Sequence, residues 1–284
     1  MATVLIVLLA AVFHADGESA THMAFFAQPI RLAAHRGGAT LWPENTALAY
    51  RNAAATWPGV LLDGDALCTA DGHIVLLHDS TVDRTTNGTG RIADLTLAQV
   101  KALDAGYRFT HNDGATYPYR GQGVTIPTFA EALAAAPGSR FLIEIKNQSN
   151  VPAAILKDIA EANAFDRVIL ASFNPMLIAQ VRALNPNALT CYDILEGTDL
   201  FVRLRSGRWT DYRPQADMLA IADDFIEDFH IQPSELHAIQ AKGIPILVHT
   251  VNAPDAMRTF LAEGVDSILT DYPERLAAIL EEKP

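Results

Sequence analysis

The chain has few cysteines and few basic residues for its length. Its two cysteines, Cys68 and Cys191, lie far apart, which excludes a disulfide framework and a C-x-x-C zinc or redox motif. We expect each cysteine to lie buried on a strand.

The chain has 21 lysines and arginines against 33 aspartates and glutamates, which gives a net charge of −12. Nucleic-acid binding would need a basic stripe, and the sequence shows none, so the charge indicates a soluble acidic surface.

The N-terminal apolar run Ala2–Phe13 is too short to cross a membrane, which takes about 20 residues. It has the length of a signal-peptide core, although no Lys or Arg precedes it and no clean cleavage site follows. We predict that residues 1–25 are a signal peptide or another N-terminal extension, and that residues 26–284 form one domain. A cleaved signal would make the protein periplasmic or secreted, and an uncleaved segment would leave it cytoplasmic.

From residue 30 onward, short apolar runs alternate with helical patterns, which is typical of parallel strands joined by crossover helices. A single α/β barrel routinely takes about 250 residues, which suits this length. The predicted strands are Arg31–His35, Val60–Leu67, His73–His78, Phe141–Lys146, Val168–Phe173, Leu189–Ile194, Met218–Ala222, Pro245–Val251 and Ser267–Thr270.

One of these nine strands is surplus for an eight-stranded barrel. The stretch before His73–His78 is too short for a crossover helix, and its Asp71-Gly72 pair favours a tight hairpin turn. We therefore predict that His73–His78 pairs antiparallel with the second strand. A two-residue turn would place His78 opposite Asp65.

The segment Ser80–Pro127 is long, polar and glycine-rich, with one predicted helix at Leu97–Leu103. Loops of this length are usually lids or binding elements, and a surface insertion is the alternative. The predicted fold is thus a TIM-type (β/α)8 barrel with a β-hairpin extension after strand 2 and a long insertion at about 80–127.

Charged residues occur at the ends of two predicted strands. Asp63 and Asp65 are two residues apart and face one side, as do Glu144 and Lys146. Such residues are costly on an apolar strand unless they are paired or bind a ligand. Asp63, Asp65 and Glu144 would form a hard oxygen site for one divalent cation, Mg²⁺ or Ca²⁺ rather than zinc. The alternative is that each acid forms a salt bridge with a nearby Arg or Lys.

Two histidines follow predicted strands in the same way. Beside a metal, His35 and His78 could deprotonate a nucleophile and protonate a leaving alkoxide. Arg36 and Lys146 could neutralise phosphate charge. His249 lies near a strand end and is expected to line the mouth of the site.

The motifs, in this order, resemble those of the glycerophosphodiester phosphodiesterase family. The resemblance spans residues 31–275 and rests on AHRGG (34–38), PENT (43–46), the acid-x-acid pair (63–65), TADG (69–72), HDSTVDRTT (78–86), IPT (126–128), IEIK (143–146), ASF (171–173), TVN (250–252) and ILTDYP (268–273).

The resemblance implies a TIM-type barrel that hydrolyses a phosphodiester to sn-glycerol 3-phosphate and an alcohol, with a small-molecule substrate and one divalent cation, Mg²⁺ or Ca²⁺. The residues that match the family's functional positions are His35 and His78 as the acid/base pair, Arg36 and Lys146 as phosphate ligands, Glu44 at the mouth of the substrate site, and Asp63, Asp65 and Glu144 as metal ligands.

Two positions depart from the family pattern. Asp63 stands where the family usually has Glu, so the carboxylate is shorter by one methylene and metal preference or activity could change. His249 stands where the family commonly has Trp, which predicts an altered substrate preference on that side of the pocket.

Three alternatives to this hydrolase remain open. A lysophospholipase D-like enzyme would need an apolar channel at the mouth, which we expect the segment Ser80–Pro127 to decide. A catalytically weakened barrel that only binds phosphate esters is motivated by Asp63. A lyase would use a neighbouring hydroxyl and release a cyclic phosphate.

Overall fold

The computed structural model describes residues 20–146 and 148–282, which form nine strands and eleven α-helices. The strands are β1 (Leu32–Ala34), β2 (Leu61–Cys68), β3 (Ile74–Leu76), β4 (Arg140–Ile145), β5 (Val168–Ala171), β6 (Leu189–Thr190), β7 (Leu219–Ala222), β8 (Ile246–His249) and β9 (Ser267–Thr270). The helices are α1 (Ala20–Phe25), α2 (Ala47–Thr56), α3 (Leu97–Lys101), α4 (Phe129–Ala135), α5 (Val151–Glu161), α6 (Pro175–Leu184), α7 (Ile194–Arg205), α8 (Asp223–Asp228), α9 (Pro233–Gln240), α10 (Pro254–Ala262) and α11 (Pro273–Glu281).

Eight strands lie parallel in the order β6-β5-β4-β2-β1-β9-β8-β7, and β3 pairs antiparallel with β2 alone. A parallel bridge between Cys191 and Met218 joins the two ends of this path, and the Tyr192 amide donates to the Met218 carbonyl at 3.0 Å. The nine predicted strands, the antiparallel extension and the TIM-type α/β fold are confirmed. Both cysteines are buried, as expected, and free; Cys68 ends β2, whereas Cys191 directly follows β6 and forms the bridge to Met218.

Side chains alternate between two cores along each strand. Leu61 and Leu142 belong to the cluster inside the barrel, whereas Leu62 and Phe141 pack outward with the helices.

The first residues of the outer helices are of types that favour the start of a helix. Thr46 and Thr128 cap α2 and α4 with their side chains, and α5, α6, α9, α10 and α11 each have proline in the first turn.

The predicted register of the β2–β3 hairpin is wrong by one residue. The observed pairs are Ala66 with Leu76 and Cys68 with Ile74, so the loop has three residues instead of two. Gly72, with φ 86°, takes the left-handed conformation that ends such a loop. The Leu77 amide donates to the Asp65 carbonyl at 2.9 Å, so it is Leu77 that lies opposite Asp65. His78 follows the end of β3.

The inserted segment at 80–127 forms a small apolar cluster of its own against the β2–β3 hairpin. This cluster contains Val82, Ile92 and Val100 together with Leu67 and Val75 of the hairpin. The predicted helix at Leu97–Leu103 is present as α3, shortened to Leu97–Lys101. The segment is therefore a packed layer beside the barrel.

Helix α1 lies at the amino-terminal end of the barrel. The Phe25 side chain is fully buried in the inner cluster, and the Phe25 carbonyl accepts a 2.8 Å hydrogen bond from Arg140 Nη1. The apolar run Ala2–Phe13 lies outside the described residues, so the signal peptide or extension over residues 1–25 stays a prediction. In the described part of the chain, no helix is both long and apolar enough to span a bilayer.

We expect Phe25→Ala to lower the free energy of unfolding by about 3 kcal/mol, because it opens a cavity in the inner core. Met23→Ala, in the same helix at 55% exposure, should change it by less than about 0.5 kcal/mol. Urea unfolding of both variants measures the difference. Equal, small effects would show that α1 is not part of the barrel core.

Candidate active site

The polar residues of the pocket lie on the same strands as the inward-facing apolar residues of the barrel core, and they point to the same side. The inner residues Ala33, Leu61, Leu142, Leu247 and Leu269 belong to one apolar cluster. Two positions further along the same strands, toward their carboxyl ends, the chain places His35, Asp63, Glu144, His249 and Asp271. Because strand side chains repeat every two residues, the apolar interior gives way to charged groups at one rim.

This rim surrounds a cavity of about 350 Å³. Six of the eight predicted site residues line it. They are His35, Arg36, Asp63, Asp65, His78 and Glu144. The other two contact residues of that set: Lys146 binds Asp65 and Glu144, and Glu44 binds Arg36. Lys146 and His78 also line a smaller neighbouring cavity of about 220 Å³.

Asp65 and Glu144 are direct partners in the parallel register of β2 and β4. Lys146 Nζ lies 2.8 Å from Asp65 Oδ1 and 2.8 Å from Glu144 Oε2. Asn45 Nδ2 donates to Asp65 Oδ2 at 2.8 Å. Burial raises the pKa of Asp65, but Lys146 and the hydrogen bonds outweigh it, so the pKa is lowered. Asp65 is thus a well-compensated buried carboxylate.

Asp63 is buried with much less compensation. Its Oδ2 accepts a hydrogen bond from the Arg36 amide at 3.1 Å and lies 4.0 Å from His35 Nε2. Burial, together with the negative charges of Asp65 and Glu144, raises the pKa of Asp63 to about 6. A cation that approached this carboxylate from the cavity would relieve an unfavourable charge.

Arg36 lies in a sharp turn directly after β1. Its φ of 51° is left-handed and it is followed by Gly37 at φ 82°. A side chain at Gly37 would come within 2.9 Å of the Ala49 Cβ, so this close approach requires glycine. Arg36 Nη1 donates to Glu44 Oε1 at 3.0 Å, whereas its buried Nε has no hydrogen-bond partner among the described residues and makes only a 3.5 Å ion-pair contact with Asp65 Oδ2. A buried donor without a hydrogen bond fits an anionic oxygen in the pocket.

His35 is held by a carboxylate that follows the neighbouring strand β9. Its Nδ1 bonds Asp271 Oδ1 at 2.7 Å, and Asn252 Nδ2 donates to Asp271 Oδ2 at 2.8 Å. This contact leaves Nε2 facing the cavity beside Asp63. Burial lowers the pKa of His35, but the bond to Asp271 and the charge of Asp63 outweigh it, so the pKa is raised.

His78 has a matching arrangement with a local acid. Its Nδ1 bonds Asp79 Oδ1 at 2.8 Å, and Arg84 Nε donates to Asp79 Oδ2 at 2.6 Å. Arg84 also donates to both oxygens of Glu44, at 2.7 and 2.8 Å. Since Glu44 binds Arg36 as well, one chain of ion pairs connects His78 with Arg36.

The carboxylate oxygens of the site are the ligand type that a hard divalent cation prefers, but the side chains are not arranged to coordinate one. Asp63, Asp65 and Glu144 open into one cavity, and the pKa of Asp63 reports uncompensated negative charge. Lys146, however, bonds both Asp65 and Glu144. No three His, Cys, Asp or Glu side chains of the described residues stand in metal-binding geometry. Asp63, Asp65 and Glu144 would be free to hold a cation together only with Lys146 away from at least one of its two acids.

Sequence reasoning missed the partners that orient the two histidines. Asp79 directly follows His78 and Asp271 lies in a recognised motif, but neither was assigned a role. Arg84 was also missed, because nothing in the sequence of the inserted segment indicates a bond to Glu44, 40 residues away.

His249 lines the cavity, as expected. Burial and the nearby His35 lower the pKa of His249 to about 4, so it is neutral at pH 7.

Ser80–Pro127 reaches the mouth through the bonds of Arg84 to Glu44, so the expectation that this segment decides whether the mouth has an apolar channel is wrong. No residue of that segment lines the main cavity, and only Ser80 and residues 91–93 reach the smaller one. The part of the mouth away from the acids comes from the ends of β5, β6 and β7 and is largely apolar. It includes Phe173, Ile194 and Phe225.

Fold and pocket together define an α/β-barrel protein whose acidic, histidine-containing pocket opens at the carboxyl ends of the strands. The model of the glycerophosphoryl diester phosphodiesterase family matches residues 35–275. A glycerophosphodiester phosphodiesterase of Caldanaerobacter subterraneus is 31% identical over 86% of this chain and 94% of its own. Mouse glycerophosphodiester phosphodiesterase 1 is 30% identical over 84% of this chain and 76% of its own. The chain therefore belongs to the glycerophosphoryl diester phosphodiesterase family.

Solved structures are similar over most of the chain. An Oleispira antarctica phosphodiesterase, in complex with the product sn-glycerol-3-phosphate, superposes with a TM-score of 0.74 and covers 90% of this chain and 99% of its own, at 24% identity. A glycerophosphoryl diester phosphodiesterase domain from Mycobacterium tuberculosis gives a TM-score of 0.75 over 88% of this chain and 98% of its own, at 22% identity. At these identities the likeness establishes the shared barrel fold.

We predict opposite effects on stability for two isosteric substitutions in metal-free protein. The pKa of Asp63 is higher when folded, at about 6, than its ordinary 3.8, so stability is lost as pH rises through that range. Asp63→Asn removes this cost and should stabilise the protein by up to about 3 kcal/mol at pH 8, with no gain below pH 4.

Asp65→Asn is the control, because the pKa of Asp65 is lowered and its ionised form contributes stability above its ordinary pKa. It should destabilise the protein at pH 8. Thermal unfolding in EDTA at both pH values measures the pair. A loss of stability in both variants at pH 8 would contradict the account of Asp63.

Proposed function

We propose that the protein hydrolyses glycerophosphodiesters to sn-glycerol 3-phosphate and an alcohol, using His35 and His78 for proton transfer and one divalent cation, Mg²⁺ or Ca²⁺. The observation that carries the proposal is that two histidines, each oriented by its own carboxylate, share one cavity with three acids and with an arginine whose buried Nε makes no hydrogen bond among the described residues. Membership of the family supports the choice of substrate class.

Each histidine has one nitrogen committed to a carboxylate and the other left for substrate. In this arrangement one Nε2 accepts the proton of the attacking water while the other donates a proton to the leaving alkoxide. The P–O bond to the alcohol breaks as the bond from water oxygen to phosphorus forms. Asp271 and Asp79 act as positioning residues, because they fix the orientation of the two rings, and Asp271 also favours the protonated imidazole of His35.

The phosphate is expected to bind against Lys146 and against Arg36, whose buried Nε makes no hydrogen bond among the described residues. Asp63, Asp65 and Glu144 would hold the divalent cation, which when bound would polarise the phosphoryl oxygens and favour ionisation of water. Lys146, released from one of its two acids, would then turn its charge to the phosphate. Glu44 holds Arg36 in place through the 3.0 Å ion pair.

The assay that tests the proposal follows glycerophosphocholine turnover by phosphorus NMR, with added Mg²⁺ or Ca²⁺ and with EDTA. We expect sn-glycerol 3-phosphate as the product and loss of turnover in EDTA. A cyclic phosphate product would favour the lyase alternative. Retained binding of glycerol 3-phosphate without turnover under any divalent ion would favour a barrel that only binds phosphate esters.

His78→Ala should reduce kcat by about 10²–10⁴-fold with little change in thermal stability, because it removes a general acid or base from a half-exposed position. His73→Ala is the matched control. His73 lies in the same hairpin at 52% exposure and pairs with Asp71, away from the cavity. Equal activity of the two variants would exclude His78 from catalysis.

Asp271→Asn should change the pH profile as well as the rate. The Asp271 carboxylate raises the pKa of His35 against the effect of burial, so the substitution lets burial dominate and lowers that pKa. The limb of the kcat/KM profile that reports His35 should move to lower pH. A uniform drop in rate at all pH values, with the limb unmoved, would show that Asp271 has only a structural role.

A further inference from the structure

The smaller cavity, of about 220 Å³, adjoins the main one on the side of β3 and the inserted segment. His78 lines both cavities, and Lys146, which lines the smaller one, bonds two acids of the main one. The other residues that line the smaller cavity are Leu67, Ser80, Arg91, Ile92, Ala93 and Gln148. A phosphodiester whose phosphate lies in the main cavity therefore has a neighbouring space for one of its two ester groups.

The two cavities differ in the charge of their walls. Four carboxylates line the main cavity, namely those of Asp63, Asp65, Glu144 and Asp193. None of the eight described residues that line the smaller cavity is acidic, and two of them, Arg91 and Lys146, are cations. In a chain with a net charge of −12, a cavity that has cations and no acid in its wall favours an anionic group.

The charge of Arg91 is not used within the described part of the chain. No carboxylate of that part lies within 4.0 Å of its guanidinium, and its side chain makes no hydrogen bond there. Arg84, in the same inserted segment, is in contrast bonded to Glu44 and to Asp79. Arg91 is therefore a cation of this cavity that can pair with a ligand without first losing an ion pair of its own.

Backbone pairing fixes the position from which the Arg91 side chain extends. Thr81 and Arg91 form an antiparallel bridge, and the Ile92 amide donates to the Ser80 carbonyl at 2.9 Å. The Ile92 side chain, 1% exposed, packs in the apolar cluster of the inserted segment. Because this backbone is ordered before a ligand arrives, only the arginine side chain has to be immobilised on binding.

The remaining polar groups of the wall limit how a ligand can bind. Gln148 is committed to Cys68, since its Oε1 accepts from the Cys68 amide at 2.6 Å and its Nε2 donates to the Cys68 carbonyl at 3.2 Å. The Ser80 hydroxyl and the Arg91 guanidinium are the donors that suit a carboxylate. A cavity of about 220 Å³ has room for a compact group of a few heavy atoms.

We propose that the smaller cavity binds the alcohol part of the substrate, and that Arg91 selects alcohols that carry a compact anionic group such as a carboxylate. The inference rests on the proposed phosphodiesterase function and specifies its substrate class. The phosphate of the diester stays in the main cavity, and the alcohol extends past His78 toward Arg91.

The first test compares glycerophosphoserine with glycerophosphoethanolamine, whose alcohols differ by one carboxylate. We expect kcat/KM to be about fivefold higher for glycerophosphoserine at low ionic strength, which is the scale of one charge pair at a partly exposed site. The preference should shrink in about 0.5 M NaCl, because salt screens such a pair. Equal values at low salt, or a preference for glycerophosphoethanolamine, would overturn the proposal.

Variants then locate the carboxylate. Arg91→Gln should bring the ratio of the two kcat/KM values to about one, and Arg91→Lys should retain part of the preference because it keeps the charge. The control is Arg51→Gln on α2, which removes the same charge from an exposed residue that lines neither cavity and should leave the ratio unchanged. A preference that persists in Arg91→Gln, or that falls equally in Arg51→Gln, would overturn the proposal.

Binding separates this inference from the proposed function. Phosphoserine and phosphoethanolamine differ by the same carboxylate and are monoesters, so a phosphodiesterase does not consume them. Calorimetry in Mg²⁺ buffer should give phosphoserine an affinity about fivefold higher in the wild-type protein, and equal affinities in Arg91→Gln. Equal affinities in the wild type, with both diesters hydrolysed, would overturn the anionic subsite and leave the phosphodiesterase intact. No turnover of either diester, with phosphoserine still preferred, would contradict the proposed function and retain the subsite.

Discussion

The active site depends on how the negative charges of three carboxylates, Asp63, Asp65 and Glu144, are balanced at the end of an apolar barrel. Parallel pairing of β2 and β4 puts Asp65 directly beside Glu144, and the alternation along β2 adds Asp63 to the same side. Lys146 bonds Asp65 and Glu144, which leaves Asp63 with little compensation and a raised pKa. An isolated buried charge is costly, so this imbalance is a place where a ligand cation gains free energy.

The remaining polar groups are arranged around that imbalance. Each histidine is fixed by a carboxylate, His35 by Asp271 and His78 by Asp79, so the ring nitrogens that face the cavity are oriented before substrate arrives. The ion pairs of Glu44 with two arginines hold the mouth on the same side. Across the barrel the cavity is lined by Phe173, Ile194 and Phe225 as well as by Asp193, so its lining there is more apolar than beside the acids of β2 and β4.

Sequence alone predicted the features that follow from local periodicity. The nine strands, the shared face of Glu144 and Lys146 and the antiparallel extension follow from alternation and from a connection too short for a helix. The hairpin register was missed because Asp71-Gly72 fits two- and three-residue loops equally, and one residue decides the pairing. The bonds from Asp271 and Arg84 could not be predicted, since they join residues 236 and 40 positions apart. The apolar part of the mouth, formed by Phe173, Ile194 and Phe225, could not be predicted either, because these residues follow three different strands and meet only in the folded barrel.

The most direct test of the central claim is a crystal structure with sn-glycerol 3-phosphate and Mn²⁺, whose anomalous signal locates the metal. We expect a Mn²⁺ peak coordinated by Asp63 and Glu144, with Lys146 withdrawn from at least one acid and the phosphate bonded to Arg36 Nε. The Nε2 atoms of His35 and His78 should lie on opposite sides of that phosphate. A peak away from all three carboxylates, or a phosphate without contact to Arg36, would contradict the account.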